Sequence, residues 1–159
     1  MIRYMSIEEQ VDKDFERVRQ RAFLRRMGAW LRRDVCSDFL PSFEEARRTL
    51  GGFIQVPRGI RTVPVVKIVG SVGRTRDFDN AFLPARASAA TRWKRVDRAF
   101  HGGIELQPVV LDKVGEHYFV VDGNHRVSVA RYHGVEMIDA EVTEFRARQS
   151  SEKPQTTAA

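Results

Sequence analysis

Asp122, Gly123, Asn124, His125 and Arg126 set a carboxylate, a flexible backbone position, a carboxamide, an imidazole and a guanidinium side by side. The aliphatic run Phe119-Val120-Val121 precedes them and the helix-like Val127-Ser128-Val129-Ala130-Arg131 follows. The spacing predicts a buried strand that turns at glycine and opens a helix. The first amides of a helix have no intrahelical acceptor, and the helix dipole favours negative charge there, so the junction suits a phosphate. Asn124 and His125 add directional donors, and Arg126 adds a permanent cation with fork geometry. Asp122 repels a bare phosphate. Its place beside the turn makes sense if it holds a metal, accepts a substrate proton or orients His125, so Asp122 and His125 form the candidate catalytic pair. A simpler reading stands beside this one: glycine permits the turn and Asp122 caps the helix.

A second stretch, Gly70-Ser71-Val72-Gly73-Arg74-Thr75-Arg76, has the same character. Gly73 leaves the backbone approachable, and Ser71, Arg74 and Arg76 are further candidate phosphate donors. Asp77 and Asp79 could hold Mg²⁺ through oxygen ligands, or cap and pair with arginine. No protein metal site is assigned, because no dense acidic cluster stands out.

Ser6 and Glu9 form a capping-box signature that opens a long helix over about residues 6–33. Ile7, Val11, Phe15, Val18 and Ala22 mark its apolar stripe. Phe23, Met27, Trp30 and Leu31 continue it with a rotation, which predicts a bend or a change of packing partner. Arg17, Arg21, Arg25 and Arg32 line another side. A second capping box, Ser42 to Glu45, opens a short helix over about 42–50, stopped by Gly51-Gly52, and Phe53 to Arg61 reads as a connector. Residues 1–61 therefore read as an N-terminal helical extension, too poor in apolar residues for a core of its own. Ser88 to Phe100 is an amphipathic helix anchored by Trp93, with Lys94, Arg95 and Arg98 opposite. Val109–Leu111 and Tyr118–Val121 read as paired strands with Gly115-Glu116-His117 at the turn. The helix after Gly123 ends at Gly134. Residues 146–159 read as a disordered tail.

From Thr62 to Phe145 these features fall in an ordered series. Thr62-Val63-Pro64-Val65-Val66-Lys67-Ile68-Val69 comes first, and a helix then leads to Gly102-Gly103 and Leu106-Gln107-Pro108-Val109-Val110-Leu111. The hairpin around Gly115, the Gly123-Asn124-His125-Arg126 turn and a closing strand from Met137 to Phe145 complete it. The series resembles the ParB/sulfiredoxin-like superfamily over about residues 62–145. The resemblance implies an α+β fold, a small mixed sheet flanked by helices, here with the N-terminal helical extension in front. It further implies phosphate or nucleotide binding at the Gly-x-x-Arg turn, with Gln107 near it. ParB proteins use CTP to clamp onto DNA, sulfiredoxins use ATP to repair an oxidised thiol, and a free-serine kinase shares the fold. CTP, ATP or ADP, with Mg²⁺, are thus the implied cofactors. Sulfiredoxins carry a cysteine where Asn124 stands, and a carboxamide supplies no thiolate, so their chemistry is excluded at this turn. ParB proteins carry Glu and Arg where this chain has Asn124 and His125.

Composition sets the remaining bounds. The chain of 159 residues is 42% hydrophobic and 30% charged, as for an ordinary globular domain. No apolar run approaches the roughly 20 residues that span a bilayer, and the opening Met1 to Ser6 lacks a secretory core. The single cysteine, Cys36, forms no internal disulfide and suits a cytoplasmic setting. The net charge of +6 is concentrated between Arg58 and Glu105, where 10 Lys/Arg meet 4 Asp/Glu. Such an excess attracts polyanions. The reading that results is a ParB-like module that binds a nucleotide or phosphorylated small molecule. Non-specific DNA association, as in chromosome partitioning, and a homo-oligomer are both compatible with it. A phosphotransferase or nuclease using Asp122 and His125 is the alternative, and a non-catalytic protein-interaction module the second.

Overall fold

The structure, a computed structural model, describes residues 5–32 and 40–148. The expectations for Met1 to Tyr4, for Cys36 and for residues 149–159 lie outside the described residues.

Ser6 closes the capping box at the start of α1 (Ile7–Leu31). Its hydroxyl accepts from the Glu9 amide at 3.2 Å, while the Glu9 carboxylate accepts from the Ser6 amide at 3.1 Å. Val11, Val18 and Ala22 bury one side of the helix. The expected continuation does not pack: Phe23, Met27, Trp30 and Leu31 are exposed. The second helix, α2 (Phe43–Arg48), has no side-chain cap. Ser42 instead forms a parallel bridge with Ser71, which takes its backbone into the sheet edge and corrects the expected second capping box.

Strand β1 (Phe53–Pro64) occupies the stretch read as a connector, and pairs antiparallel with β5 (Met137–Ala147) along its whole length. Pro57 is accommodated because the register shifts between Pro57 and Gly59, a bulge on an edge strand. A 3-10 turn at Val65–Lys67 divides the stretch Thr62–Val69, and β2 (Ile68–Ser71) follows it. The closing strand also runs past Phe145, so Arg146 and Ala147 are strand rather than tail.

The remaining elements are α3 (Ala90–His101), β3 (Val109–Val114), β4 (His117–Asp122) and α4 (Asn124–Tyr132). The fold is α+β, with one five-stranded mixed sheet in the order β1-β5-β3-β4-β2. Strand β3 pairs antiparallel with β4 and parallel with β5, and β2 pairs parallel with β4. Strands β1 and β2 are the two edges, yet one 3-10 turn separates them in the chain. Four Cα steps span at most about 15 Å, so the sheet curls to bring its edges together.

The concave core holds Val63, Ile68, Val109, Leu111, Val120 and Val142, closed by Phe78, Phe82 and Val127. A second cluster joins α1, α3 and α4 through Val18, Ala22, Trp93 and Val129. Within it the indole of Trp93 donates to Ser128 Oγ at 2.9 Å, so neither buried polar group is left unpaired. A third cluster packs α2 on the sheet through Phe43, Phe119 and Phe145. Gly70 is required there, because a Cβ would lie 2.3 Å from the Pro41 carbonyl oxygen. No helix among the described residues is long and apolar enough to cross a membrane.

Candidate functional site

Gly123 makes the turn that sequence reasoning assigned to it. Its φ of +105° suits glycine, and a Cβ there would lie 2.7 Å from Val109 Cγ1, so backbone and packing both demand its absence. From this turn α4 starts with no side-chain cap. The Val127 amide bonds to the Gly123 carbonyl, and the amides of Asn124, His125 and Arg126 precede that first helical bond. At the far end Gly134 (φ +70°) closes the helix, with the Val135 amide bonded to Ala130 O and the Gly134 amide to Arg131 O.

The free end of α4 opens into a cleft of about 300 Å³ lined by Arg74, Arg92, Arg95, Val96 and Val121, together with Asp122 to Arg126. Arg74 arrives from the loop after β2, where its guanidinium pairs with Asp77 at 3.1 Å. Arg92 and Arg95 arrive from the first turns of α3. Among the described residues neither has a hydrogen-bond or ion-pair partner. The other cations of α3 are engaged: Lys94 pairs with Asp12 at 2.8 Å, and Arg98 pairs with Glu8 through two contacts of 2.5 and 2.6 Å.

The rings of His125 and Phe78 meet in a T-shaped contact, with centroids 5.1 Å apart. Burial pushes its pKa down, the positive charges of Arg74 and Arg92 push it further, and it falls to about 4. The ring is therefore uncharged at neutral pH, able to accept a proton or to donate one hydrogen bond. Its Nδ1 is buried without a partner, as is Oδ1 of the buried Asn124.

Several expected donors have other work. Arg126 Nη1 donates to the carbonyls of Gln107 (2.6 Å) and Pro108 (2.8 Å), and Nη2 lies 2.5 Å from Asp122 Oδ2. Its fork is occupied by the protein, so Arg126 braces the turn instead of presenting a free cation. Asp122 accordingly orients Arg126 and not His125. Gln107 takes part through its main-chain carbonyl. Ser71 is fully buried; its hydroxyl donates to Val120 O at 3.2 Å and accepts from the Arg74 amide at 3.3 Å, which shapes the loop and leaves nothing for a ligand. Gly73 lies on the open loop and Arg76 is exposed, and neither lines the cleft. Asp79 Oδ1 accepts from the amides of Ala81 and Leu83, both at 2.9 Å, and Asp77 is paired with Arg74, so these carboxylates cap and pair. Sequence reasoning did not single out Arg92, and set Arg95 only on the basic face of its helix, opposite Trp93. Their three-residue spacing on one helix was the available signal.

No family model matches the chain, and no curated protein matches it. Among solved structures it is similar to sulfiredoxin from Arabidopsis thaliana, with 21% identity over 52% of this chain and 82% of that one, at a TM-score of 0.37. The likeness concerns the backbone, and the chemistry of the site is read from this chain's own residues.

Proposed function

We propose that the cleft at the start of α4 binds a phosphate-bearing ligand. A nucleotide such as ATP, ADP or CTP is the ligand class that the sequence resemblance suggests. One observation carries the reading: Arg92 and Arg95 converge with Arg74 on an uncapped helix start, and neither has a counter-charge among the described residues. Arg92 and Arg95, gathered beside Arg74 without acceptors of their own, add like charge to one place, and an oxyanion at the free amides relieves that repulsion. The uncharged His125 adds a donor or acceptor without adding charge. A small anion fits better than a duplex backbone, because Lys94 and Arg98, which would extend the basic surface along α3, are held by α1.

The test is calorimetric titration of the chain with ATP, ADP, CTP and inorganic phosphate, with and without Mg²⁺, beside the Arg92→Gln/Arg95→Gln variant. Each lost charge-assisted contact weakens binding about tenfold or more. Wild-type affinity in the double variant, or no binding of any of these anions to the native chain, overturns the reading.

A further inference from the structure

Asp14 on α1, Asp97 and His101 on α3, and His133 at the end of α4 bring two carboxylates and two imidazoles to one point outside the cleft. One ligand atom from each lies within 4.8 Å of all the others. His101 Nε2 is 2.8 Å from Asp14 Oδ2 and 3.6 Å from Asp97 Oδ2, and His133 Nε2 is 2.7 Å from Asp97 Oδ1. Donor atoms about 2.0–2.1 Å from a tetrahedral zinc ion stand roughly 3.3 Å apart. Two of these contacts are shorter and one longer than that value, and no pair of ligand atoms exceeds 4.8 Å, so side-chain rotations would bring the four into one coordination shell.

A second, independent observation points to a ligand. Asp97 is fully buried, and its Oδ2, the oxygen turned toward His101, has no hydrogen-bond partner. Asp14 is also buried. Its nearest lasting cation is Arg17, at 3.7 Å and largely exposed. A buried carboxylate oxygen left without a partner is costly in a low-dielectric setting. A divalent cation at this point would engage that oxygen together with Asp14 and both Nε2 atoms.

We propose that Asp14, Asp97, His101 and His133 form a structural site for a divalent transition metal, with zinc as the reference ion. Four protein ligands fill a tetrahedral shell and leave no open position, which marks a structural site, not a catalytic one. Supporting contacts orient the ligands: Gln10 Nε2 and the Tyr132 hydroxyl donate to Asp14, at 3.1 and 3.0 Å, and Phe100 stacks on the His133 ring at 4.2 Å. The ion would pin α1 to α3 and α4, beside the small cluster of Val18, Ala22, Trp93 and Val129 that already joins them.

The experiment uses the untagged full chain, stripped with a chelator and titrated with Zn²⁺ or Co²⁺. One ion per chain is expected, with a rise in Tm of about 5–10 °C at saturating Zn²⁺. The Co²⁺ form should show the visible absorption of a four-coordinate ion. Imidazole NMR signals of His101 and His133 should shift on adding Zn²⁺, while those of His117 and His125 stay in place. This reading needs no variant. His101→Gln/His133→Gln, checked for folding by circular dichroism, should weaken Zn²⁺ binding at least tenfold, and His117→Ala should leave it unchanged. Absence of stoichiometric binding to the native chain, shifts confined to other histidines, or full affinity in a folded double-glutamine variant overturns the proposal. None of these outcomes depends on whether the Arg92/Arg95 cleft takes an anion.

Discussion

The Arg126 guanidinium and the Asp122 carboxylate lie 2.5 Å apart across one turn, at the joint between β4 and α4. The same guanidinium reaches back to the Gln107 and Pro108 carbonyls that lead into β3. One side chain thus ties three segments around Gly123. Removing it leaves two carbonyls and a carboxylate without their donor.

Arg126→Ala should therefore destabilise the ligand-free protein by about 1–3 kcal/mol in urea denaturation. Arg92→Gln/Arg95→Gln should leave the unfolding free energy within about 0.5 kcal/mol of the native value, since among the described residues these side chains have no partners to lose. Equal losses in both variants would contradict the division of labour between the bracing arginine and the cleft-lining ones.

Gly123→Ala combines an unfavourable φ with a Cβ 2.7 Å from Val109 Cγ1. The expected cost is about 2–4 kcal/mol. Adding Val109→Ala removes the closest contact but leaves Val109 Cβ at 3.0 Å and the backbone strain, so a double-mutant cycle should show the two changes to be partly non-additive. Simple additivity would mean that the Cγ1 contact adds nothing to the cost.

His125 has a folded pKa of about 4, below its ordinary value of 6.5. The unfolded chain therefore takes up a proton first as pH falls. The stabilising contribution is complete above about 6.5, is lost progressively between 6.5 and 4, and changes no further below 4. Its upper bound is about 3 kcal/mol. Chemical denaturation at pH 7.5 and 4.5 should show a steeper loss for the native chain than for His125→Gln, and parallel losses would rule the group out. Inorganic phosphate bound in the cleft should raise the same pKa, readable by NMR titration of the ring.

Glu144 on β5 receives Arg58 from β1 at 2.6 Å, Arg146 at 3.0 Å and Lys113 from β3 at 3.3 Å. Burial works to raise its pKa, but the hydrogen bonds from Arg146, Arg58 and Lys113 outweigh it and hold the value at about 2. The stabilising contribution is present above its ordinary pKa of 4.5 and fades as pH drops toward 2. Glu144→Gln should lower the thermal midpoint at pH 7, and the difference from the native chain should narrow at pH 2.5.

Trp93→Phe removes the donor to Ser128 from a fully buried position and leaves a small void. A loss of about 2–4 kcal/mol is expected, with Ser128→Ala in the same background recovering part of it. No recovery would show that the indole acts through packing alone.

The Gly123 turn, α3 and the β3–β4 hairpin were legible because each has a local signature: a glycine between a strand and a helix, a Trp-anchored apolar face, a glycine turn. Strand β1 was not. Its residues Gln55-Val56-Pro57-Arg58-Gly59 show little alternation, because an edge strand with a bulge buries few of them. The cleft arginines were hidden for a different reason. Arg92 and Arg95 line the cleft only once α3 is set beside α4, and that placement is tertiary. The same holds for Asp14 and His133, 119 residues apart in sequence yet 4.8 Å or less between ligand atoms. Arg126 was located correctly but its partners were not, since nothing local announces that Gln107 and Pro108 turn their carbonyls toward it.

Strand β5 lies between β1 and β3 in the sheet, although it is made more than seventy residues after β1 ends. On the ribosome β1 emerges long before β5, its pairing strand among the described residues, so its hydrogen-bonding groups wait while the intervening chain is made. Folding of this sheet cannot proceed strand by strand as the chain appears. It must await the insertion of β5, a late and non-local event of the kind that slows folding and exposes nascent chains to aggregation.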